Sequence, residues 1–251
     1  MKRWGFRRKI GTILCQIGIC GLLMGCGPSD MGQIIKNMPG DRENFGGNKE
    51  VTVMELEVFV HESLEKLQKL GIDALEAEEN IVNQFHSMPQ DMVGDMESEE
   101  IFGLMLGGIA SGFYPGTEQA ASKIYAFDME VPDTLQMYTS FLEGISRIAE
   151  GELEITDIEE VISEEELEAG TGTQIVRFCC NGKAYEYEAE YYYDWFDARM
   201  LAFMNQVIAE QDTGRCLYVA SDGYQECIVF YRTEEWAEQF RRELGVELDR
   251  P

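Results

Sequence analysis

The sequence is poor in basic residues and in histidine. It contains 20 lysine and arginine residues against 47 aspartate and glutamate residues, a formal net charge of −27, and two histidines, His61 and His86. General nucleic-acid binding requires a basic face, so this charge balance excludes it. Solubility is the ordinary explanation of such acidity, because net charge governs association and not fold.

Motifs for metal binding and catalysis are also missing. The segment His61–Glu65 (HESLE) approaches the zinc-protease motif H-E-x-x-H, but a glutamate stands where the second imidazole is needed. The four cysteines after residue 26 form no C-x-x-C pair, and the segment Gly108–Gly112 fails the spacing of a nucleophile elbow. We therefore predict no catalytic residue, no metal site and no cofactor, and expect the protein not to be an enzyme.

The first 26 residues have the pattern of an export signal. Five basic residues within positions 1–9 precede an apolar stretch, Ile10–Met24, and no acidic residue occurs before Asp30. The segment Leu23-Met24-Gly25-Cys26 resembles the lipobox of bacterial lipoproteins. In that family a diacylglyceryl group is attached to the cysteine thiol and the chain is cut in front of it. The resemblance therefore implies that residues 1–25 are a signal peptide and that the mature protein begins at a lipid-bearing Cys26.

An uncleaved membrane anchor is the alternative interpretation of the same segment. The uncharged run Ile10–Ser29 is 20 residues long, about the length that spans a bilayer. The glycines and Gln16 within it favour cleavage. Both interpretations place the protein at the outer face of the bacterial cell membrane, and diacylated Cys26 suffices to hold it at the bilayer because two acyl chains anchor stably. Without residues 1–25 the chain keeps 15 basic and 47 acidic residues, a net charge of −32.

The rest of the chain predicts an α+β fold. Residues 26–50 are polar and glycine-rich and form a flexible tether from Cys26. Residues 51–112 form a helical segment, with helices from Thr52 to Gly71, over 76–87, and from Glu97 through IFGLMLGGIA. Residues 113–251 form an antiparallel sheet of hairpins with interspersed packing helices, and we expect both parts to make one compact unit.

The best-determined element is a hairpin over residues 173–192. The turn Asn181-Gly182 pairs Cys180 with Lys183 and Arg177 with Glu186. Strict alternation then places apolar side chains on one face and charged ones on the other, so one face is covered. Cys179 and Cys180 point to opposite faces and cannot bond to each other.

Further elements follow from turn and capping residues. Pro132-Asp133 opens a helix, an acidic loop extends from a short strand (ELEIT) to Gly172, Asp194 caps a helix, and Thr233 caps the last one. The glutamates of the acidic loop lack the spacing of a calcium site. The second hairpin turns around residues 221–223 in one of three registers, of which only a four-residue loop pairs Cys216 with Cys227. We favour free, buried thiols at Cys216 and Cys227, and we leave open whether the two form a disulfide.

These observations favour a non-enzymatic binding or interaction lipoprotein of the cell envelope. Its partners are the lipid bilayer, through diacylglyceryl-Cys26, and an envelope protein or ligand. Tyr192 and Tyr193, at the end of the first hairpin, are the possible surface contact residues. Two alternatives are a hydrolase of envelope polymers that uses paired carboxylates, and an inhibitor or immunity-type lipoprotein, which the acidity fits.

Replacement of the lipobox cysteine tests the anchor directly. Cys26→Ala is expected to abolish incorporation of radiolabelled palmitate into the protein, because it removes the acceptor thiol. Cys20→Ala, the matched control, is expected to leave the labelling unchanged. Labelling that persists in Cys26→Ala would contradict the lipoprotein interpretation.

Overall fold

The computed structural model describes residues 53–94, 96–222 and 224–251 of the chain. The tether, Cys26, and the Thr52 cap predicted for the first helix lie outside these residues. The helices are α1 (Val53–Lys69), α2 (Glu78–Ser87), α3 (Gln90–Val93), α4 (Ser98–Ala110), α5 (Glu118–Ala121), α6 (Met137–Ile148), α7 (Glu164–Ala169), α8 (Arg199–Ala209) and α9 (Glu234–Leu244), with a 3₁₀ turn at Leu75–Ala77. The strands are β1 (Tyr125–Asp128), β2 (Ile155–Val161), β3 (Thr171–Cys180), β4 (Lys183–Tyr192), β5 (Cys216–Ser221) and β6 (Glu226–Arg232). The predicted α+β class is confirmed.

The strands form two antiparallel sheets. Sheet I has the order β1–β6–β5 and sheet II has the order β2–β3–β4. In sheet II the predicted β3–β4 register is confirmed, with Cys180 opposite Lys183 and Arg177 opposite Glu186. The inner face carries Val176 and Phe178, both buried. The outer face carries the charged residues, so sheet II is covered on one side only.

Sheet I is buried on both sides. Alternate residues of β6 face opposite ways, yet all positions from Cys227 to Arg232 are buried. Cys227, Val229 and Tyr231 belong to the main core. Phe230, on the opposite face, packs its ring against Trp236 and Phe240 of α9. A continuous apolar run such as CIVFY is typical of a strand covered on both faces.

Helices α6 and α8 fill the space between the two sheets. Helix α6 contacts β1 and β6 of sheet I and β2 of sheet II, and α8 contacts β5 and β4. Their buried stripes join both sheets in one apolar cluster: Met137, Tyr138, Phe141, Leu142, Ile145 and Ile148 from α6, and Met200, Leu201, Met204, Val207 and Ile208 from α8.

Helix α4 covers the other face of sheet I. It begins with a capping box, in which Glu97 and Glu100 accept each other's backbone N–H groups, and it is buried from Ile101 to Gly107 and at Ile109 and Ala110. A turn follows at Gly112, which has φ +68°. The predicted helix over this segment is therefore buried and leads into a tight turn. Helix α1 joins this side of the molecule, since the Leu70 carbonyl accepts a hydrogen bond from Trp236 Nε1 of α9 at 2.8 Å.

Two helices begin later than the sequence predicts. Asp133 does not open α6, because its Oδ1 accepts a hydrogen bond from Leu135 N at 3.2 Å and holds an extra turn before the helix. Asp194 does not cap α8; its carbonyl accepts a hydrogen bond from Val131 N, and Asp197 accepts one from Arg199 N. Aspartate side chains stabilise such turns as readily as helix starts, which sequence alone does not separate.

The predicted acidic loop before Gly172 is wrong. Strand β2 continues to Val161 through a bulge between Thr156 and Glu159, and α7 follows it. Ser163 Oγ caps this helix by accepting a hydrogen bond from Glu166 N at 3.2 Å. A serine cap with acidic residues in the first turn is a favourable helix start, so these glutamates lie on a short helix.

The second hairpin takes a register that differs from all three predicted. Ser221 pairs with Cys227, and Cys216 pairs with Arg232 at the far end of the ladder. The loop is longer than expected because Asp222 Oδ1 accepts hydrogen bonds from the N–H groups of Tyr224 and Glu226. The four described cysteines are all free, as favoured. Cys180 is buried and Cys179 is half-buried, in agreement with their prediction on opposite faces of the hairpin.

Two glycines let α4 approach the β5–β6 loop, and alanine substitutions test this contact. A Cβ on Gly107 would overlap the Glu226 carboxylate, whereas a Cβ on Gly103 would lie 2.8 Å from the backbone Cα of Asp222. Gly107→Ala is expected to lower the free energy of unfolding by about 1–3 kcal/mol. In a Glu226→Ala background it is expected to be neutral or stabilising by up to about 1 kcal/mol, because alanine favours helices.

Gly103→Ala serves as the comparison, because backbone atoms cannot be removed by substitution. It is expected to destabilise the protein in both backgrounds, as measured by urea unfolding. Equal destabilisation by Gly107→Ala with and without the Glu226 side chain would contradict the proposed contact.

Candidate functional site

Tyr193 is the most exposed large hydrophobic side chain among the described residues, with an exposed fraction of 55%. Its backbone φ is 50°, in the left-handed region that costs an L-residue roughly 1 kcal/mol. The strand β4 ends one residue earlier, so the chain turns sharply at this position. Tyr192, its neighbour, is half-buried.

The Tyr193 ring is held in place by its neighbours. Tyr193 N donates a hydrogen bond to the Gly170 carbonyl at 2.7 Å, and the ring covers Gly170 so closely that a Cβ there would overlap it. Gly170 itself ends α7 with φ +72°. The Tyr192 ring meets Tyr193 edge to face, with centroids 5.2 Å apart. An exposed aromatic ring is therefore presented in a fixed orientation.

The other tyrosines of the hairpin are structural, as the alternation predicts. Tyr191 is buried, and Tyr185 and Tyr187 pack against the core. Tyr187 OH donates to Asp197 Oδ2 at 2.9 Å. Burial alone would raise the pKa of Asp197, but hydrogen bonds from Arg199 and the Glu190 backbone keep it below its ordinary value.

The outer face of sheet II holds a surface pocket with mixed charge. Its lining includes Asp157, Glu159, Arg177 and Glu186. Arg177 lies between two carboxylates, 2.6 Å from Glu186 Oε2 and 3.2 Å from Glu159 Oε2. These hydrogen bonds raise the pKa of Arg177. Its guanidinium is therefore permanently charged, and it is already paired with carboxylates of the protein itself.

A second pocket lies between α1 and α2. It is lined by Leu75 and Val82 and by four glutamates, Glu57, Glu76, Glu78 and Glu79. His61 of α1 lies 2.8 Å from Glu78 Oε2, and this hydrogen bond together with the negative charge raises the pKa of His61. His86 of α2 lies 4.0 Å from Glu57. Both histidines of the chain thus stand beside this pocket.

Three carboxyl groups cluster under α4, and no sequence pattern pointed to them. Asp128 and Glu226 lie directly opposite each other in the β1–β6 ladder, and Asp222 lies in the loop before β6. Burial, together with the negative charges of Asp222 and Asp128, raises the pKa of Glu226 to about 7. Burial also raises the pKa of Asp222 to about 6, against the effect of its backbone hydrogen bonds. Among the described residues none of the three takes part in an ion pair.

This cluster does not support the hydrolase alternative. Paired-carboxylate hydrolysis needs a cleft in which two carboxyl groups face a substrate. The Glu226 carboxylate instead packs against Gly107 of α4, and the exposed fraction of Asp222 is 5%. The two surface pockets described above lie elsewhere. The raised pKa values follow from burial of like charges. The stability of the fold is therefore expected to depend on pH.

The stability of the protein is expected to increase as the pH falls from 8 to 5.5. Asp222 and Glu226 titrate near pH 4 when unfolded, and folding raises their pKa values to about 6 and about 7, so their contribution is full below about pH 4 and is lost as the pH rises through about 6–7. We expect the free energy of unfolding to be about 2 kcal/mol higher at pH 5.5 than at pH 8. Glu226→Gln is expected to remove most of this difference by stabilising the protein at pH 8.

Glu188→Gln on the exposed face of β4 is the matched control and should leave the pH dependence unchanged. His61 contributes in the same direction, so the comparison between variants isolates the carboxyl cluster. Urea unfolding at a series of pH values measures both. A pH dependence that is identical in Glu226→Gln and the unsubstituted protein would contradict this assignment.

Within the described residues, no group of histidine, cysteine and carboxylate side chains has the geometry of a metal site. No helix in that part of the chain is long and apolar enough to cross a membrane. Comparison with known proteins adds no further constraint, because no protein family, curated protein or solved structure matches this chain.

Proposed function

We propose that the protein is a lipid-anchored binding module of the bacterial cell envelope, which holds a partner protein or ligand through the surface around Tyr193. It is not an enzyme in this proposal. The lipobox-like segment at Cys26 supports the anchoring, and the polar stretch that follows supports a tether. The domain then works at the outer face of the membrane.

The proposal depends on the fixed, exposed ring of Tyr193. A strained backbone persists only where the surroundings enforce it, and such positions concentrate at functional sites. Tyr193 has both the left-handed φ and the large exposure. A ring that is already ordered loses little side-chain entropy when a partner binds, which is why tyrosine is frequent at binding hot spots.

The tether and the charge define how the module meets its partner. A flexible coil of 24 residues has a root-mean-square length of roughly 25–30 Å, so the domain would reach envelope components beyond the lipid headgroups. The net charge of −32 for the chain from Cys26 onward disfavours contact with anionic lipid. We therefore expect the protein to bind envelope components that lie beyond the lipid headgroups, and not the bilayer surface.

Substitution of Tyr193 tests the proposed contact surface. The mature chain is immobilised and exposed to an envelope extract of the producing bacterium, and retained proteins and glycans are quantified. Tyr193→Ala is expected to reduce the specifically retained species at least tenfold, because it removes the central ring. Tyr193→Phe keeps the ring and is expected to retain binding.

Phe113→Ala is the matched control, since Phe113 is an exposed aromatic residue in the turn after α4. It is expected to leave retention unchanged. An extract from which nothing is specifically retained, or equal retention by Tyr193→Ala, would contradict the proposal. Urea unfolding of each variant verifies that the fold is intact.

A further inference from the structure

The pocket between α1 and α2 has the composition of a docking groove. Its volume is about 360 Å³, and Leu75 and Val82 contribute apolar surface between four glutamates. We call these residues, with Glu57, Glu76, Glu78 and Glu79, the α1–α2 groove. An apolar strip bordered by one sign of charge complements an amphipathic segment of the opposite sign.

The charge of the groove is not neutralised by a permanent cation. No lysine or arginine lines it among the described residues. Beside it, His61 pairs with Glu78 and the His86 imidazole lies 4.0 Å from Glu57. Glu76 and Glu79 are exposed, and the described residues place no ion-pair partner within 4.0 Å of them.

The pocket on sheet II gives the contrasting case. There Arg177 already bridges Glu159 and Glu186. An incoming cation would have to compete with a guanidinium that is held by both carboxylates. In the α1–α2 groove a lysine or arginine side chain meets glutamates without such a competitor. Charge complementarity therefore favours the groove over the sheet as the site for a basic partner.

We propose that the α1–α2 groove docks a basic, amphipathic peptide segment of a partner protein. Lysine or arginine side chains of the segment pair with Glu57, Glu76 and Glu79, and an apolar side chain covers Leu75 and Val82. The groove is a second contact surface, separate from the one around Tyr193, and the proposal gives its partner a chemistry. Exposed ion pairs are individually weak and screened by salt, so the affinity falls as the ionic strength rises.

A peptide-binding assay tests the groove. The mature chain is titrated against a fluorescent 14-residue peptide of lysine and leucine with helical spacing, and against a matched peptide with serine in place of leucine. The double variant Glu57→Gln/Glu79→Gln is expected to weaken binding of the leucine peptide at least tenfold. The serine peptide is expected to bind the unsubstituted protein at least fivefold more weakly than the leucine peptide.

Charge alone is controlled by the double variant Glu188→Gln/Glu190→Gln, which removes the same two charges from β4. It is expected to change the affinity less than twofold. Equal weakening by both double variants, or equal binding of both peptides, would show non-specific attraction to an acidic protein and overturn the proposal. Hydrogen exchange provides a second measurement: the bound peptide is expected to protect amides of α1 and α2, and protection confined to other elements would also overturn it.

The same assay separates this inference from the Tyr193 surface. Tyr193→Ala is expected to bind the leucine peptide with unchanged affinity. If the groove variant loses the peptide while Tyr193→Ala retains all envelope species, the groove stands and the Tyr193 proposal fails. If the peptide does not bind while capture depends on Tyr193, the groove proposal alone is overturned.

Discussion

Sheet I and sheet II each turn an apolar face toward helices α6 and α8, and these two helices contact both sheets. Neither sheet could be stable alone, because a three-stranded sheet with one bare apolar face must cover it. The shared helix pair meets this need for both sheets at once. Phe141 of α6 and Met204 of α8 are fully buried in the resulting cluster. The positions of all other elements follow from this arrangement.

The arrangement leaves the two sheets in different environments. Sheet I is covered again on its other face by α4 and α9, so β6 is buried from Cys227 to Arg232, and the half-buried Glu226 at its start packs its carboxylate beneath α4. The charged residues of sheet II lie on its outer face, which is exposed to solvent. Surfaces for a partner are consequently left at the ends of sheet II, at Tyr193, and along the α1–α2 hairpin, where glutamates border half-buried apolar residues.

The buried acids show how differently the fold treats one chemical group. Asp197 accepts hydrogen bonds from Tyr187, Arg199 and the backbone, and its carboxylate is stabilised in the charged form. Glu226 faces Asp128 across the ladder instead, and its pKa rises to about 7. The first arrangement holds β4 to α8 at neutral pH. The second makes the docking of α4 stronger when the carboxyl is protonated, since burial of an unpaired charge is unfavourable.

Local patterns in the sequence determined the elements whose stabilising contacts are near in the chain. Asn181-Gly182 sets the β3–β4 register, Thr233 and Gly245 bound α9, and the strict alternation of β3 marks a one-sided sheet. The signal at Cys26 is likewise a matter of local residues, and it stays a prediction.

Tertiary structure decided the rest. Asp133 holds a turn through Leu135 N and does not open α6, and the carbonyl of Asp194 is bound by Val131 N, which is 63 positions earlier. The register of β5–β6 depends on hydrogen bonds to Asp222 within a loop packed against α4. Tyr193 could be named from its place at a strand end, but its fixed ring depends on Gly170, 23 positions earlier. The α1–α2 groove and the carboxyl cluster arise from residues that only folding brings together, and no spacing along the chain encodes such proximity.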